Sequence, residues 1–151
     1  MQDALSLFTG PNTKAEKFLE VYVDGSFMQE KAKWAFIVVE GETVIYSERG
    51  TLEGEINSMR QIGGELKAVI QAVCYARRVK IPVKIHYDYN GIYRWVCDLF
   101  GEKAWGTNNE WTTKYRKFIL ENAPNIHSFV KVKAHSGNKW NEEVDKIAGS
   151  A

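Results

Sequence analysis

Four carboxylate side chains in this sequence fall where strands are expected to end or helices to begin. Asp24 follows the strand-forming run at 21–23, and Asp88 lies at the end of a second predicted strand at 83–89. Glu65 lies in the first turn of a predicted helix, and Asp145 lies in the last predicted helix. Functional groups of an open sheet gather where its strands end and its helices begin. We therefore expect these four residues to form one acidic cluster.

An acidic cluster of this kind is suited to holding divalent cations. Each close pair of carboxylates repels by about 1 to 4 kcal/mol at effective dielectric constants of about 80 to 20, and a divalent cation neutralises that repulsion. Ligands that are all oxygen atoms favour Mg²⁺ or Mn²⁺ over Zn²⁺. Two such ions about 3.5 to 4 Å apart can clamp the attacking water and the leaving oxygen. The cluster therefore predicts metal-dependent phosphoryl-transfer chemistry.

Each of these residues has a simpler interpretation when it is taken alone. Asp24, which precedes a glycine, fits a hairpin turn, Glu65 fits a helix start that complements the macrodipole, and Asp88 fits a helix cap. Asp145 fits a solvated helix position, and His135, at the end of the last predicted strand, fits a loop histidine. Only their joint occurrence in this order of strands and helices favours a site.

The surrounding sequence predicts an α/β fold. Apolar periodicity predicts strands at 17–24, 33–40, 43–51, 83–89 and 128–134, and helices at about 65–78, 90–99, 110–121 and from 140 onward. The short turns between the first three strands indicate an antiparallel meander. The strand, helix and strand that come next indicate a parallel pairing across a crossover. The order βββαβααβα therefore predicts a five-stranded mixed sheet with helices packed on it.

Composition sets the class of protein and leaves its partner open. The chain has 151 residues, of which 44% are apolar and 26% charged, as is typical of one soluble globular domain. Lysine plus arginine number 20 and aspartate plus glutamate 19, so the net charge of +1 predicts neither a nucleic acid nor an acidic partner. Cys74 and Cys97 lack CxxC spacing and are expected to be free thiols in a reducing compartment.

The N-terminal stretch is expected to be a loose arm. Residues 1–16 contain the breaker Gly10-Pro11-Asn12, and we expect a catalytic domain at 17–151. The arm has neither a basic signal-peptide start nor a long apolar run, and no stretch approaches the roughly 20 apolar residues that span a bilayer. We expect a cytoplasmic protein without a membrane partner, and a monomer by default.

Four stretches carry a more specific pattern. They are YVDGS at 22–26, GGELKAVIQAV at 63–73, IHYDYNGI at 85–92 and VKVKAHSGNKWNEEVDKIA at 130–148. Together they resemble the type 1 ribonuclease H family, over most of the chain from Val21 to Ala148. The variants YDYNGI and KVKAHSG are most similar to the bacterial ribonuclease H domains associated with viroplasmin-like hybrid-binding modules. The resemblance implies the ribonuclease H-like fold.

The resemblance also implies an endonuclease that cuts the RNA strand of an RNA–DNA hybrid and leaves 5′-phosphate and 3′-hydroxyl ends. The four carboxylates match the family's ligands for two Mg²⁺ ions, with Mn²⁺ as the alternative. In the family, the residue matching Asp24 bridges both ions, and the one matching Asp145 helps to hold the ion that activates water. The matches of Glu65 and Asp88 hold the ion at the leaving oxygen. His135 matches a mobile histidine that assists proton transfer or product release, and a pKa near neutrality suits either role.

Residues that contact the hybrid are implied as well. An enzyme specific for hybrids must sense a 2′-hydroxyl on one strand and its absence on the other, and the matching positions are Gly25, Gln61 and Asn90. The family usually has Asn at the position of Gln61. Further matches on the nucleic-acid side are Ser26, Trp95, Thr107 and Asn141, although core packing explains Trp95 equally well.

Three alternatives stay open. A transposase- or resolvase-type nuclease that acts on DNA has the same fold. A ribonuclease H-like module can bind a hybrid without cutting it, and a reverse transcriptase carries a similar domain within a longer chain. The intact set of four carboxylates favours an active ribonuclease.

Overall fold

The computed structural model describes residues 10–133 and 137–151. Its five strands are β1 Leu19–Met28, β2 Lys31–Glu40, β3 Thr43–Thr51, β4 Val83–Tyr87 and β5 Ile126–Lys131. Its helices are α1 Arg60–Val79, α2 Gly91–Arg94, α3 Glu110–Glu121 and α4 Lys139–Gly149. Short 3₁₀ turns cover Gly54–Met59, Cys97–Phe100 and Ala123–Asn125. Most of the predicted N-terminal arm and His135 lie outside the described residues.

The strands form one mixed sheet in the order β3-β2-β1-β4-β5. β1 pairs antiparallel with β2, and β2 pairs antiparallel with β3. β4 pairs parallel with β1 on one side and with β5 on the other. The predicted five-stranded mixed sheet, with a meander followed by a parallel crossover, is therefore confirmed.

The first strand does not end at Asp24, as the Asp-Gly turn signal suggested. It continues to Met28, and the turn to β2 falls at Gln29 and Glu30, whose φ angles are 53° and 64°. Positive φ at both central residues is the pattern of a tight hairpin turn that matches the twist of its strands. Gly25 serves a different purpose, because a Cβ there would overlap the backbone nitrogen of Glu65. The glycine is needed for close packing inside the strand.

Helix α1 begins at Arg60, five residues earlier than predicted. The glycines at 63 and 64, which suggested a helix boundary, lie inside it. A Cβ on Gly64 would overlap the carbonyl oxygen of Lys33 and come within 3.0 Å of the Gly25 Cα. The intrinsic cost of about 1 kcal/mol for glycine in a helix is thus offset by a helix that touches the sheet backbone.

Several other boundaries differ from prediction: β1 starts at residue 19 instead of 17, β2 at 31 instead of 33, and β5 ends at 131 instead of 134. β4 ends at Tyr87 instead of residue 89, and β5 starts at Ile126 instead of residue 128. The single helix expected at 90–99 is interrupted at Val96, whose φ of −134° is not helical. This interruption allows the side chains at 95, 96 and 97 to be buried together, which a continuous helix with one apolar face does not allow.

Helices cover both faces of the sheet, but to different extents. The larger core lies between the sheet, α1 and α3, and includes Val21, Val23, Phe36 and Val69. A smaller core lies under α4 on the opposite face. Both cysteines are free, with Cys97 buried and Cys74 half-buried. Among the residues described, no helix has the length and apolar character needed to cross a membrane.

Candidate active site

Three of the predicted carboxylates meet where β1 and β4 separate. Asp24, Glu65 and Asp88 each offer an oxygen atom within 4.8 Å of the others. The parallel pairing of β1 with β4 runs as far as Tyr22 opposite His86. Two residues further along the chain come Asp24, inside β1, and Asp88, directly after β4, so the register of the sheet sets them side by side.

The third member of this cluster comes from α1. Glu65 lies in the second turn of that helix, and not in the first turn as expected, because the helix starts earlier. Its Oε1 accepts a hydrogen bond from the backbone N–H of Gly25, and the same N–H donates to Asp24 Oδ1 at 2.9 Å. One backbone amide therefore holds two carboxyl groups together, and the close approach of helix and strand at Gly25 and Gly64 makes this possible.

Burial strongly perturbs the two inner carboxyl groups. Asp24 is 5% exposed and Glu65 is 3% exposed. Desolvation raises the pKa of Glu65 well above its usual value, and its hydrogen bond to Asp24 and the charges of Asp24 and Asp88 raise it further. Desolvation, together with Asp145 and Asp88, raises the pKa of Asp24 to about 7, against the opposing hydrogen bond from Glu65. In the absence of a cation, burial and the neighbouring carboxylates thus favour the protonated form of Glu65.

The arrangement fits a divalent cation. Glu65 Oε2 is buried and has no hydrogen-bond partner in the described structure. A buried polar atom without a partner normally costs about 1 to 3 kcal/mol, and a metal ion at the cluster would supply that partner. The oxygen-only donor set suits a hard cation. The buried cluster of Asp24, Glu65 and Asp88 is therefore compatible with divalent-metal binding.

The fourth predicted carboxylate approaches from α4. Asp145 is exposed and lies outside the closely spaced set of three. It nevertheless interacts directly with Asp24, whose pKa it raises. The structure thus brings all four predicted carboxylates to one place, with Asp145 on the solvent side. His135, the predicted proton-transfer histidine, falls at a position that the structure does not describe.

An open hollow of about 340 Å³ gives access to the cluster. Gly25 and Gln61, two of the predicted hybrid contacts, line it together with Asp24, Glu65 and Asp88. Ile62 and Tyr89 also line it, and the sequence analysis did not single them out. The position of Tyr89 directly after Asp88 is a signal that could have found it, since a residue next to a strand-end carboxylate shares its edge of the sheet.

The remaining predicted contacts lie in varied surroundings. Asn90 is exposed, and Asn141 is buried in the first turn of α4. The Oγ of Ser26 is buried without a hydrogen-bond partner in the described structure. Thr107 accepts a hydrogen bond of 2.9 Å from the Thr113 hydroxyl. Trp95 is buried, which agrees with its core-packing interpretation.

Comparison with known proteins identifies the family. The RNase H family model matches residues 16–151. The chain belongs to the ribonuclease H family. A curated ribonuclease H from Novosphingobium aromaticivorans is 27% identical over 146 residues, which cover 89% of this chain and 96% of that protein. The predicted membership is thus confirmed, while the association with a viroplasmin-like module stays a prediction.

Solved structures of ribonucleases H share this fold. Ribonuclease H1 from Halobacterium salinarum has a TM-score of 0.69 and 18% identity, with 88% of this chain and 96% of that chain covered. LC11 ribonuclease H1 in complex with an RNA/DNA hybrid has a TM-score of 0.61 and 15% identity, with coverages of 87% and 97%. At these identities the likeness shows the fold, and the acidic cluster carries the argument for chemistry.

Proposed function

We propose that this ribonuclease H hydrolyses the RNA strand of RNA–DNA hybrids as an endonuclease, leaving 5′-phosphate and 3′-hydroxyl ends. The observation that carries the proposal is the meeting of Asp24, Glu65 and Asp88 within 4.8 Å, in a chain matched by the RNase H family model over residues 16–151. The catalytic unit is the span 17–151, with residues 1–16 as an arm.

The proposed cofactor is a pair of Mg²⁺ ions, with Mn²⁺ as the alternative. Ions held in this way supply charge neutralisation at the scissile phosphate and lower the pKa of an attacking water. Asp24 would help to hold both ions, Glu65 and Asp88 would hold the ion that stabilises the leaving oxygen, and the exposed Asp145 would hold the ion that activates water. Because burial raises the pKa of Glu65, cation binding would favour its deprotonated form.

The proposed substrate is a hybrid duplex lying across the hollow. Gly25 and Gln61 line the hollow beside the carboxylates, so a strand cut there presents its sugars to a backbone glycine and an amide side chain. A 2′-hydroxyl can both donate to and accept from such groups. LC11 ribonuclease H1, which shares the fold, has been solved with an RNA/DNA hybrid. His135 remains the proposed proton-transfer residue, and the monomeric state and cytoplasmic location stay predictions.

The test compares the native chain with Asp88→Asn on an end-labelled RNA–DNA hybrid in Mg²⁺. We expect only the native chain to cut, and only in the RNA strand. A matched control is Asp98→Asn, since Asp98 is an exposed aspartate that pairs with Arg116 and does not belong to the cluster. Circular dichroism of all three proteins shows whether they are folded.

Other outcomes identify the rivals. Cutting of double-stranded DNA in preference to the hybrid would indicate a DNA nuclease on the same fold. Retained binding of the hybrid without turnover in Mg²⁺ or Mn²⁺ would indicate a binding module. Equal cutting by the native chain and Asp88→Asn would remove Asp88 from the proposed site.

A further inference from the structure

We infer that Tyr22 is a positioning residue, which fixes helix α4 so that Asp145 lies against Asp24. This inference rests on the proposed function and adds a residue that acts through Asp145 and does not touch the substrate. Tyr22 lies two residues before Asp24 on β1, and successive side chains of a strand alternate between its two faces. The Tyr22 ring therefore lies on the same face of the sheet as the Asp24 carboxylate, which is the face that α4 covers.

The buried side chains of α4 leave the helix free to roll. They are Asn141, Val144 and Ala148, which follow one another at spacings of three and four residues and therefore lie along a single stripe of the helix. A helix that rests on one stripe can roll about it. Asp145 is exposed beside this stripe, so a roll would change its distance from Asp24.

The two ends of α4 are held differently. At the C-terminal end, Lys33 donates to the Gly149 carbonyl oxygen at 3.4 Å, and Arg49 donates to the Ser150 hydroxyl at 2.7 Å. At the N-terminal end, a second hollow of about 410 Å³ lies between Trp140 and the strands β1 and β4. Close packing normally fixes a helix on a sheet, and this hollow interrupts it. A polar contact is therefore needed to fix the N-terminal end.

The Tyr22 ring has a defined orientation. Tyr22 lies opposite His86 in the parallel pairing of β1 with β4, and the two rings stack with centroids 4.1 Å apart and planes 10° apart. The Nε2 atom of His86 lies 2.7 Å from Glu20 Oε1, and this contact holds the imidazole in turn. A ring that is already ordered loses little further conformational entropy when its hydroxyl makes a contact.

The hydroxyl of Tyr22 meets the residue that begins α4. Asn138 is the N-cap of this helix, and its side-chain oxygen accepts a hydrogen bond of 2.9 Å from the N–H of Asn141. Burial raises the pKa of Tyr22, and a hydrogen bond from the Asn138 side chain to its hydroxyl oxygen opposes this effect. Another polar contact of the first turn, between Lys139 and Glu42 at 3.6 Å, is exposed on both sides and should contribute little. The Tyr22–Asn138 contact therefore joins β1 to the first turn of α4.

The first test measures the helix itself, without metal or substrate. Amide hydrogen exchange is compared between the native chain and Tyr22→Phe, which keeps the stacked ring and removes only the hydroxyl. The N–H groups of Asn141 and Glu142 both donate to Asn138. We expect these two amides to exchange about 2- to 10-fold faster in the variant, which is the factor that one net hydrogen bond is worth.

The matched control is Tyr46→Phe. Tyr46 also lies on a strand, stacks on another ring, that of Tyr75, at 4.2 Å, and donates its hydroxyl to a side chain, Glu48. It packs against the larger core, on the opposite side of the sheet from α4. Its substitution should therefore leave both hydrogen exchange in α4 and cleavage of the hybrid at their native values.

The second test connects the helix to the reaction. In saturating Mg²⁺, we expect Tyr22→Phe to lower kcat for hybrid cleavage about 2- to 10-fold and to leave KM near the native value. The same substitution is then made in Asp145→Asn, where it should lower kcat no further, because residues that act as one unit are not additive. A merely structural role would lower kcat by the same factor in both proteins.

A third variant tests the partner of the hydroxyl. Asn138→Ser keeps a side chain that can cap the helix but shortens it and removes the amide that bonds Tyr22. We expect the same decrease in kcat as for Tyr22→Phe, and no further decrease when the two substitutions are combined. Multiplied effects in the combined variant would show that Tyr22 and Asn138 act separately.

Two results would overturn the inference and leave the proposed function standing, provided that the native chain cuts the hybrid. One is unchanged exchange of the Asn141 and Glu142 amides in Tyr22→Phe. The other is an equal loss of kcat from this substitution in the native chain and in Asp145→Asn. Failure of the native chain to cut any hybrid would remove the proposed function, and the role of Tyr22 with it, whatever the exchange rates show.

Discussion

The two faces of the sheet handle charge differently. On the face covered by α1, β1 contributes Val21 and Val23 to a large apolar core. On the face covered by α4 the core is small, and β1 contributes Tyr22 and Asp24. Successive side chains of a strand point to opposite faces. One strand therefore supplies stability on one side and a reactive group on the other.

On the face covered by α4, two carboxylates of β1 lie in different charge environments. Glu20 is partly exposed and has two basic neighbours, the His86 ring at 2.7 Å and the Lys84 ammonium group at 3.9 Å. His86 is fixed further by stacking on Tyr22, with ring centroids 4.1 Å apart. Asp24, two residues beyond Tyr22, has other acids as its ionisable neighbours in the described part of the chain. Basic side chains of the protein thus compensate the charge of Glu20, whereas the acidic cluster around Asp24 is compatible with compensation by a divalent cation.

The strongest way to break this comparison is to remove the carboxylate that α4 contributes. We expect Asp145→Asn to lower kcat about 100- to 1000-fold, as is common when a group that stabilises charge in the transition state is lost. Glu142→Gln, an exposed change on the same helix, should leave kcat near the native value. Steady-state cleavage in saturating Mg²⁺ is the measurement. Equal cleavage rates for the two variants would indicate that Asp145 is only a solvated helix residue.

The stability of the metal-free protein should depend on pH through Asp24. A carboxyl group whose pKa is raised in the folded state stabilises the fold below its unfolded pKa of about 3.9, and this contribution is lost as the pH rises through its folded pKa of about 7. Each pKa unit is worth about 1.4 kcal/mol. The metal-free native chain should therefore be less stable than Asp24→Asn at pH 8, by about 1 to 4 kcal/mol. At pH 5.5 the difference in their free energies of unfolding should be smaller.

The measurement is urea unfolding of both proteins in the presence of a chelator. The quantity to compare at each pH is the difference between their free energies of unfolding. Burial lowers the pKa of His86 and of His127. Their contribution to the stability of the fold is therefore lost as the pH falls, which is opposite to the pH dependence expected from Asp24. Both histidines are present in both proteins, so their contribution cancels. Addition of Mg²⁺ at pH 8 should stabilise the native chain more than Asp24→Asn. A pH-independent difference would show that the acidic cluster does not strain the fold.

A matched pair of valines measures the two cores directly. Val38 and Val39 are neighbours on β2 and belong to the larger and the smaller core, respectively. Loss of two methyl groups in a closed core costs about 2 kcal/mol with its cavity, and we expect this for Val38→Ala. Val39→Ala should cost about half as much, because the smaller core can collapse. Thermal unfolding should show a shift of about 2 to 4 °C for each kcal/mol. Equal losses of stability in the two variants would contradict the expected difference between the larger and the smaller core.

The smallest expected effect concerns the first turn of α1, where the helix that covers the larger core borders the hollow. Gln61→Asn restores the residue usual in the family and shortens the side chain that lines the hollow. A changed hydrogen bond is worth about 0.5 to 1.5 kcal/mol, so KM should change about 2- to 10-fold. Gln71→Asn, on the same helix but outside the hollow, is the control. Identical KM values for the native chain and Gln61→Asn would indicate that Gln61 does not contact the substrate.

Local patterns were sufficient for most of the fold. β3 and α3 match their predicted bounds, because alternation and helical periodicity there coincide with burial. One kind of error falls at Gly25, Gly63 and Gly64, where turn chemistry predicted boundaries. At Gly25 and Gly64 the glycines instead allow helix α1 to touch the sheet backbone. A glycine that permits close packing and one that makes a turn look alike in a sequence, since the contact partner lies far along the chain.

The sequence by itself determined which residue types could react and which edge of the sheet would hold them. The register of β1 and β4 follows from their alternation, and it sets Asp24 beside Asp88. Only the tertiary structure decided that Glu65 would be buried and have a raised pKa, that Asp145 would stay exposed, and that Trp105 rather than Trp95 would face solvent. The reason is physical: burial and pKa depend on what packs against a side chain, and those contacts come from residues distant in the chain.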